Sequence, residues 1–370
     1  MIIGIDGNEA NINQRVGVGR YAFELLQELS KLRMENGEFR IYLKDSPLPE
    51  MPPAGKNWQY RVAGPKRFWT QFGLPLALAK EPMSSAPAVF FTPGHYAPRF
   101  CRCPRVIAIM DLAFFNFPEM FKKNDLWQLK NWTAYSVKKA AKIFTISRST
   151  KNDIIKYYRV PEEKVVVTYP GYEMEKFKVQ SSKFKVIRQK YGLAGKYILA
   201  VGTLQPRKNY VRLIEVFSLL GWSDWQLAIV GKKGWLWEEI LAAPQKFGVA
   251  KQVKFLDFVP DADLPALYKG ASCFAMVSLY EGFGIPILEA MNFGCPVVAA
   301  NISSLPELVG QAGILVDPYD ARDIARGIKE TVATATELAK KGLVQCRQFS
   351  WEKCARETLK VLEEVASAKP

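Results

Sequence analysis

Two glutamates eight residues apart, Glu281 and Glu289 in "LYEGFGIPILEAMNFG", stand on either side of Gly282, Gly284 and Pro286. A carboxylate accepts two hydroxyl hydrogen bonds at once, so acids of this kind suit the vicinal diols of a ribose or a hexose. Further back, "TLQPRKNYVRLIEVF" sets Arg207 and Lys208 just ahead of a helical pattern. Two cations at a helix N-terminus repel its dipole unless an anion lies between them, and a diphosphate is such an anion. A third stretch, "NEANINQRVGVGRYAFELL", places Gly17 and Gly19 before a helix, where backbone N–H groups can approach a phosphate. Each stretch also has a plainer reading: a helix-terminal acid beside an unrelated strand-end carboxylate, a solvated pair of cations, a tight turn.

The elements that must hold these residues follow from the apolar pattern. "ASCFAMVSL" is a buried-strand run, and "PILEAMNFG" reads as a helix opening on Pro286 and closing on Gly294. Glu281 and Glu289 therefore do not share a helix face, and the glycine turn between them suits a ligand better than a salt bridge. Along the rest of the chain strand-like runs alternate with helices: "MIIGID", "AVFFTP", "RVIAIMD", "AKIFTIS" and "KVVVTYPG", then "KYILAVG", "QLAIVG", "VKFLDFV", "SCFAMVSL" and "PVVAA". Such alternation predicts parallel sheets with right-handed crossovers, and two consecutive series predict two doubly wound α/β domains. In sheets of this kind ligands bind beyond the carboxyl ends of the strands, where all three stretches fall. The boundary is expected in residues 169–192, a Pro-Gly pair followed by a charged, weakly periodic linker. The tail after Ser350, an N-cap residue, is an amphipathic helix that must pack on another element. The expected domains are 1–170, joined by 350–370, and 171–349.

Composition narrows the class. With 370 residues, 49% hydrophobic and 24% charged, the chain is an ordinary globular one, long enough for two cores. No run approaches the roughly 20 apolar residues of a membrane span, and the first residues do not read as a secretory leader. Six scattered cysteines and a single histidine, His95, make a poor zinc set and fit a reducing compartment, so the chain reads as cytoplasmic with no metal. The formal charge of +15 attracts phosphates, nucleic acid or anionic lipid. No nucleic-acid-binding motif accompanies it. Cations mix with aromatics in "PKRFW", "RFCRCPR" and "FKKNDLWQLKNW", which would suit an anionic membrane surface or a lipid-linked saccharide.

The chain from Glu281 to Glu289, "EGFGIPILE", resembles the Glu-x7-Glu signature of family 4 of the retaining glycosyltransferases, and "GTLQPRKN", "AIVGKKGW", "FLDFVPDADLPALY" and the early Gly-x-Gly loop follow the same family in order. The resemblance implies the GT-B architecture, two Rossmann-like domains facing across a cleft, and transfer of a hexose from a nucleotide sugar to a saccharide or lipid-linked acceptor with no separate cofactor. It implies that Arg207 and Lys208 hold the donor diphosphate and that Glu289 accepts from the ribose. Glu281 would face the transferred sugar, with backbone N–H groups of Gly282, Phe283 and Gly284, while Gly17 would cap the phosphates from the first domain. Phe258 and Val259, in "DFVP", would line the base pocket. Many relatives carry His-Asp where this chain reads Met110-Asp111, so Asp111 and His95 become the candidates for orienting the reacting groups. "GKKGWLWEEI" and "DLAFFNFPEMF" look most like bacterial mannosyltransferases that use GDP-mannose, with UDP-hexoses as the alternative. A nucleotide-sugar-binding protein without transfer, or a phosphorylase, would use similar contacts.

Overall fold

The computed structural model describes residues 1–34, 37–172, 181–193 and 195–368. The chain forms two compact units, Met1–Gly171 together with Ser350–Pro370, and Tyr172–Phe349.

The first unit is built on seven strands: β1 (Ile2–Asp6), β2 (Glu38–Leu43), β3 (Trp58–Val62), β4 (Val89–Thr92), β5 (Arg105–Ile109), β6 (Ala140–Thr145) and β7 (Val165–Val167). They lie in the order β3-β2-β1-β4-β5-β6-β7 and every pairing is parallel. The order reverses direction at β1 and β4, the point where a doubly wound sheet opens its ligand edge. Helix Val18–Lys31 packs through Tyr21, Ala22, Leu25, Leu26 and Leu29, a stripe at helical spacing. The terminal helix Trp351–Ser367 returns to this unit. Its cap Ser350 accepts the Lys353 N–H at 3.1 Å, its Trp351, Leu359, Leu362 and Val365 are buried, and the Trp351 ring stands 5.8 Å from that of Tyr21.

The second unit holds β8 (Lys196–Val201), β9 (Trp225–Val230), β10 (Val253–Phe255), β11 (Cys273–Met276), β12 (Val297–Ala300) and β13 (Gly313–Val316), in the parallel order β10-β9-β8-β11-β12-β13. Its core is Ile198, Leu227, Ile229, Ala275 and Val298 from the strands against Leu213, Ile214 and Phe217 of helix Tyr210–Leu220. Because all strands run one way, the loops after β8, β9, β10 and β11 crowd one edge.

Of the expected linker, residues 173–180 lie outside the described residues, and the remainder corrects the sequence reading: Ser181–Lys190 is a helix. Polar contacts hold its end, since Lys190 and Tyr191 both donate to the Asp263 carboxylate at 2.7 Å. Apolar periodicity could not report them. No helix among the described residues is long and apolar enough to cross a membrane.

Candidate active site

The second unit's edge begins with two glycines that let strand ends meet. Gly202 follows β8 at φ +153° and Gly231 follows β9 at φ +155°, and a Cβ on Gly231 would lie 1.9 Å from the Gly202 carbonyl oxygen. Only glycine fits there. The chain then makes a single 3-10 turn, Pro206–Lys208, and Asn209 enters helix Tyr210–Leu220 from φ +59°. Asn209 Nδ2 donates to the carbonyls of Val277 (3.0 Å) and Pro318 (2.9 Å), and the Arg207 carbonyl accepts the Leu279 N–H (2.8 Å). The two cations are thereby clamped against the loop that follows β11.

That loop supplies their anion. Glu281 accepts from Lys208 Nζ at 2.6 Å and from Arg207 at 3.1 Å, and Arg207 also donates to the Tyr280 carbonyl. The sequence favoured a ligand over a salt bridge at Glu281, whereas the structure gives it a double ion pair. Burial opposes its ionisation, but the charges of Lys208 and Arg207 outweigh that and hold its carboxyl at a pKa of about 2. Glu281 is 7% exposed, so the pairing takes place largely out of water.

Two serines that the sequence reading passed over fix the glycine turn. Ser303 Oγ accepts the Glu281 N–H at 3.0 Å, while Ser304 Oγ lies 2.9 Å from the Glu281 carbonyl and 2.7 Å from that of Phe283. Phe283 is buried against Phe349, with ring centroids 5.8 Å apart. Gly284, at φ +120°, turns the backbone from Gly282 and Phe283 into helix Ile285–Asn292, which has Pro286 in its first turn. Glu289 is half-buried on that helix and accepts from Tyr268 Oη at 2.6 Å. Burial, reinforced by the Glu289 charge, pushes the Tyr268 phenol well up, so it stays a donor. The two glutamates thus lie on different elements, one on the loop after β11 and one on the helix that follows it. The base-pocket candidates also diverge: Phe258 exposes its ring beneath Lys232 Nζ (4.7 Å to the centroid), whereas Val259 is buried.

In the first unit, Gly17 begins helix Val18–Lys31 at φ +51°, and a Cβ there would meet no atom of the described residues within 4 Å. His95 and Asp111 come together at the ends of β4 and β5. His95 Nε2 accepts the Met110 N–H at 3.3 Å, which leaves the ring proton on Nδ1, a buried atom with no hydrogen-bond partner among the described residues. Withdrawal from water pushes the imidazole pKa down against the opposing pull of Asp111. Asp111 Oδ1 in turn accepts the Ala113 N–H at 3.0 Å.

Two doubly wound parallel-sheet units, one with paired cations at its strand edge, define a protein of the GT-B class. Sucrose-phosphate synthase from Thermosynechococcus elongatus matches this structure with a TM-score of 0.76 over 100% of both chains at 16% identity. Anabaena HepE in complex with UDP and glucose matches with a TM-score of 0.72 over 98% of this chain and 99% of its own at 19% identity. At the sequence level, residues 183–341 match the family model "Glycosyl transferases group 1" and residues 16–176 the model "Glycosyltransferase Family 4". The O-antigen chain mannosyltransferase B of Escherichia coli is 31% identical across 93% of this chain and 94% of its own. The chain belongs to the group 1 glycosyltransferases and is a glycosyltransferase.

Proposed function

We propose that the protein transfers mannose from GDP-mannose to a saccharide or lipid-linked acceptor with retention of anomeric configuration and without a metal, acting in the cytoplasm or at the inner face of an anionic membrane. The observation that carries the donor half is the Arg207–Glu281–Lys208 cluster, two cations preorganised at a strand edge around one buried carboxylate. Mannose is supported by the name of the Escherichia coli relative.

In this reading the anomeric C–O bond to the diphosphate breaks, the acceptor oxygen bonds to the same carbon from the same face, and the acceptor proton passes to the departing diphosphate. Arg207 and Lys208 neutralise the charge that develops on that leaving group. A comparable preorganised donor is worth about 100- to 1000-fold in rate. Glu281 keeps the cations fixed and faces the sugar, and the backbone of Gly282, Phe283 and Gly284 leads to a helix N-terminus that favours anions. Glu289, oriented by Tyr268, takes the ribose hydroxyls, while Phe258 and Val259 lie on the loop assigned to the base. In the first unit, Gly17 offers a second helix N-terminus, and His95 and Asp111 offer a neutral donor and a carboxylate to an acceptor hydroxyl.

The test is thermal stability against GDP-, UDP- and ADP-sugars. At 100 times its dissociation constant a ligand stabilises the fold by about 2.7 kcal/mol. GDP-mannose is expected to raise the melting temperature of the wild type and to leave Arg207→Ala and Glu289→Ala unmoved. A shift with UDP-hexoses alone would transfer the assignment to the kind of donor bound by HepE, and no shift with any nucleotide sugar would remove the donor site.

A further inference from the structure

One surface of the first unit turns apolar side chains outward. A π-helical turn, Trp69–Gly73, runs directly into the α-helix Leu74–Ala79. Its inner side is conventional: Trp69, Leu74 and Leu78 are buried with Tyr42 and Phe90, and Trp69 Nε1 donates to Asp6 Oδ2 at 3.2 Å. Its outer side is not polar. Phe68, Phe72 and Leu76, four residues apart, are 54%, 58% and 49% exposed, and the two phenylalanine rings meet edge to face at 6.4 Å. Phe68 also sits at φ +53°, a left-handed conformation that costs a bulky residue free energy while turning its ring to solvent.

Neighbouring segments extend the patch. The Arg99 N–H donates to the Thr70 carbonyl at 3.2 Å, and Cys101 and Cys103 pack on the buried cluster, which brings exposed Phe100 alongside the helix. The Arg102 guanidinium lies 3.6 Å from the sulfur of Met83, itself 77% exposed. The rim is basic, with Lys66, Arg67, Lys80, Arg99 and Arg102 all exposed. Glu81 is turned inward to Arg40 (2.9 Å) and Tyr42 (3.1 Å), while Asp45 pairs with Lys66 at 2.5 Å, so the rim's positive charge rests on Arg67, Lys80, Arg99 and Arg102.

We propose that this face docks on an anionic lipid bilayer, with Phe68, Phe72 and Leu76 seated among the acyl chains and the surrounding cations at the phosphates. An apolar stripe within a cationic rim is complementary to that surface in both charge and polarity. A second copy of the chain would bring the same basic rim against itself, and like charges would oppose the contact. The proposal gives the membrane part of the functional reading a location on the molecule, and its test needs no sugar transfer.

The full chain is sedimented with vesicles of phosphatidylglycerol and phosphatidylcholine, and with phosphatidylcholine vesicles alone. Wild type is expected to pellet with the anionic vesicles and to be released by salt. The double variant Phe72→Ser with Leu76→Ser should bind at least about tenfold more weakly, since each buried methylene adds to membrane affinity. Reversing Arg67 and Lys80 to Glu should weaken binding further than neutralising them to Ser. These side chains are exposed, so melting temperature and nucleotide-induced stabilisation are expected to stay at wild-type values. Equal pelleting of wild type and the apolar variant, or none by either, overturns the docking face and leaves the donor test untouched. A wild-type dimer that the apolar variant makes monomeric, with no change in vesicle binding, would show that a second copy covers the face and would equally overturn it.

Discussion

Glu281 is a buried carboxylate whose ionisation depends on two neighbours, and that makes its contribution dependent on pH. Its pKa in the fold, about 2, lies below the ordinary 4.5. A depressed carboxylate pKa contributes stability that is fully present above the unfolded value and is lost as pH falls through the folded one. Glu281→Gln keeps the shape but removes the carboxylate that pairs with Arg207 and Lys208, which are 17% and 11% exposed. Removing one partner of a buried pair costs about 3–5 kcal/mol, here somewhat less because the cations reach solvent. The expected result in urea unfolding is a large deficit of the variant at pH 7 that narrows as pH falls from about 5 towards 2. A deficit that stays constant across that range would mean the carboxylate acts through packing and not through charge.

At the scale of elements, the site depends on strand ends that approach more closely than side chains permit. Gly17 and Gly231 both have positive φ, but their surroundings differ. Gly17→Ala meets only backbone strain, about 1–3 kcal/mol. Gly231→Ala adds a Cβ 1.9 Å from a carbonyl oxygen on the loop that leads to Arg207. Gly231→Ala should therefore lose more stability than Gly17→Ala and should also weaken nucleotide binding, with urea midpoints and ligand-induced melting shifts as the readouts. Equal losses in the two variants would refute the close approach. Much of this edge was legible beforehand. The runs ending at Asp6, Thr92, Val201, Val230 and Met276 announced themselves because strands buried on both faces read as continuous apolar stretches. β2 and β3 did not, since Glu38 and Arg40 interrupt one and Arg61 and Val62 at the sheet margin expose the other. In the site, Arg207, Lys208 and Glu281 stood out by charge in apolar surroundings. Tyr268, Ser303 and Ser304 were invisible because each acts through one or two bonds to residues 21 to 23 positions away, and single hydroxyls leave no periodic trace.

At the scale of the whole molecule, the chain leaves its first unit at Gly171 and returns at Ser350, so its last helix stabilises a fold that its first half began. Each unit has its own sheet and buried core, and domains with separate cores commonly unfold in separate steps. Calorimetry is expected to show two transitions that respond to different perturbations. Leu362 is fully buried in the terminal helix, and Leu362→Ala removes a core side chain worth about 2–5 kcal/mol. At roughly 2–4 °C per kcal/mol for a unit of this size, that lowers one transition by about 10 °C. On the proposed reading the donor nucleotide is held mainly by groups of Tyr172–Phe349, and it should then raise the other transition more than the first. A single transition moved by both the substitution and the nucleotide would mean that the units unfold as one, and that the returning helix stabilises the donor site as well as the sheet it covers.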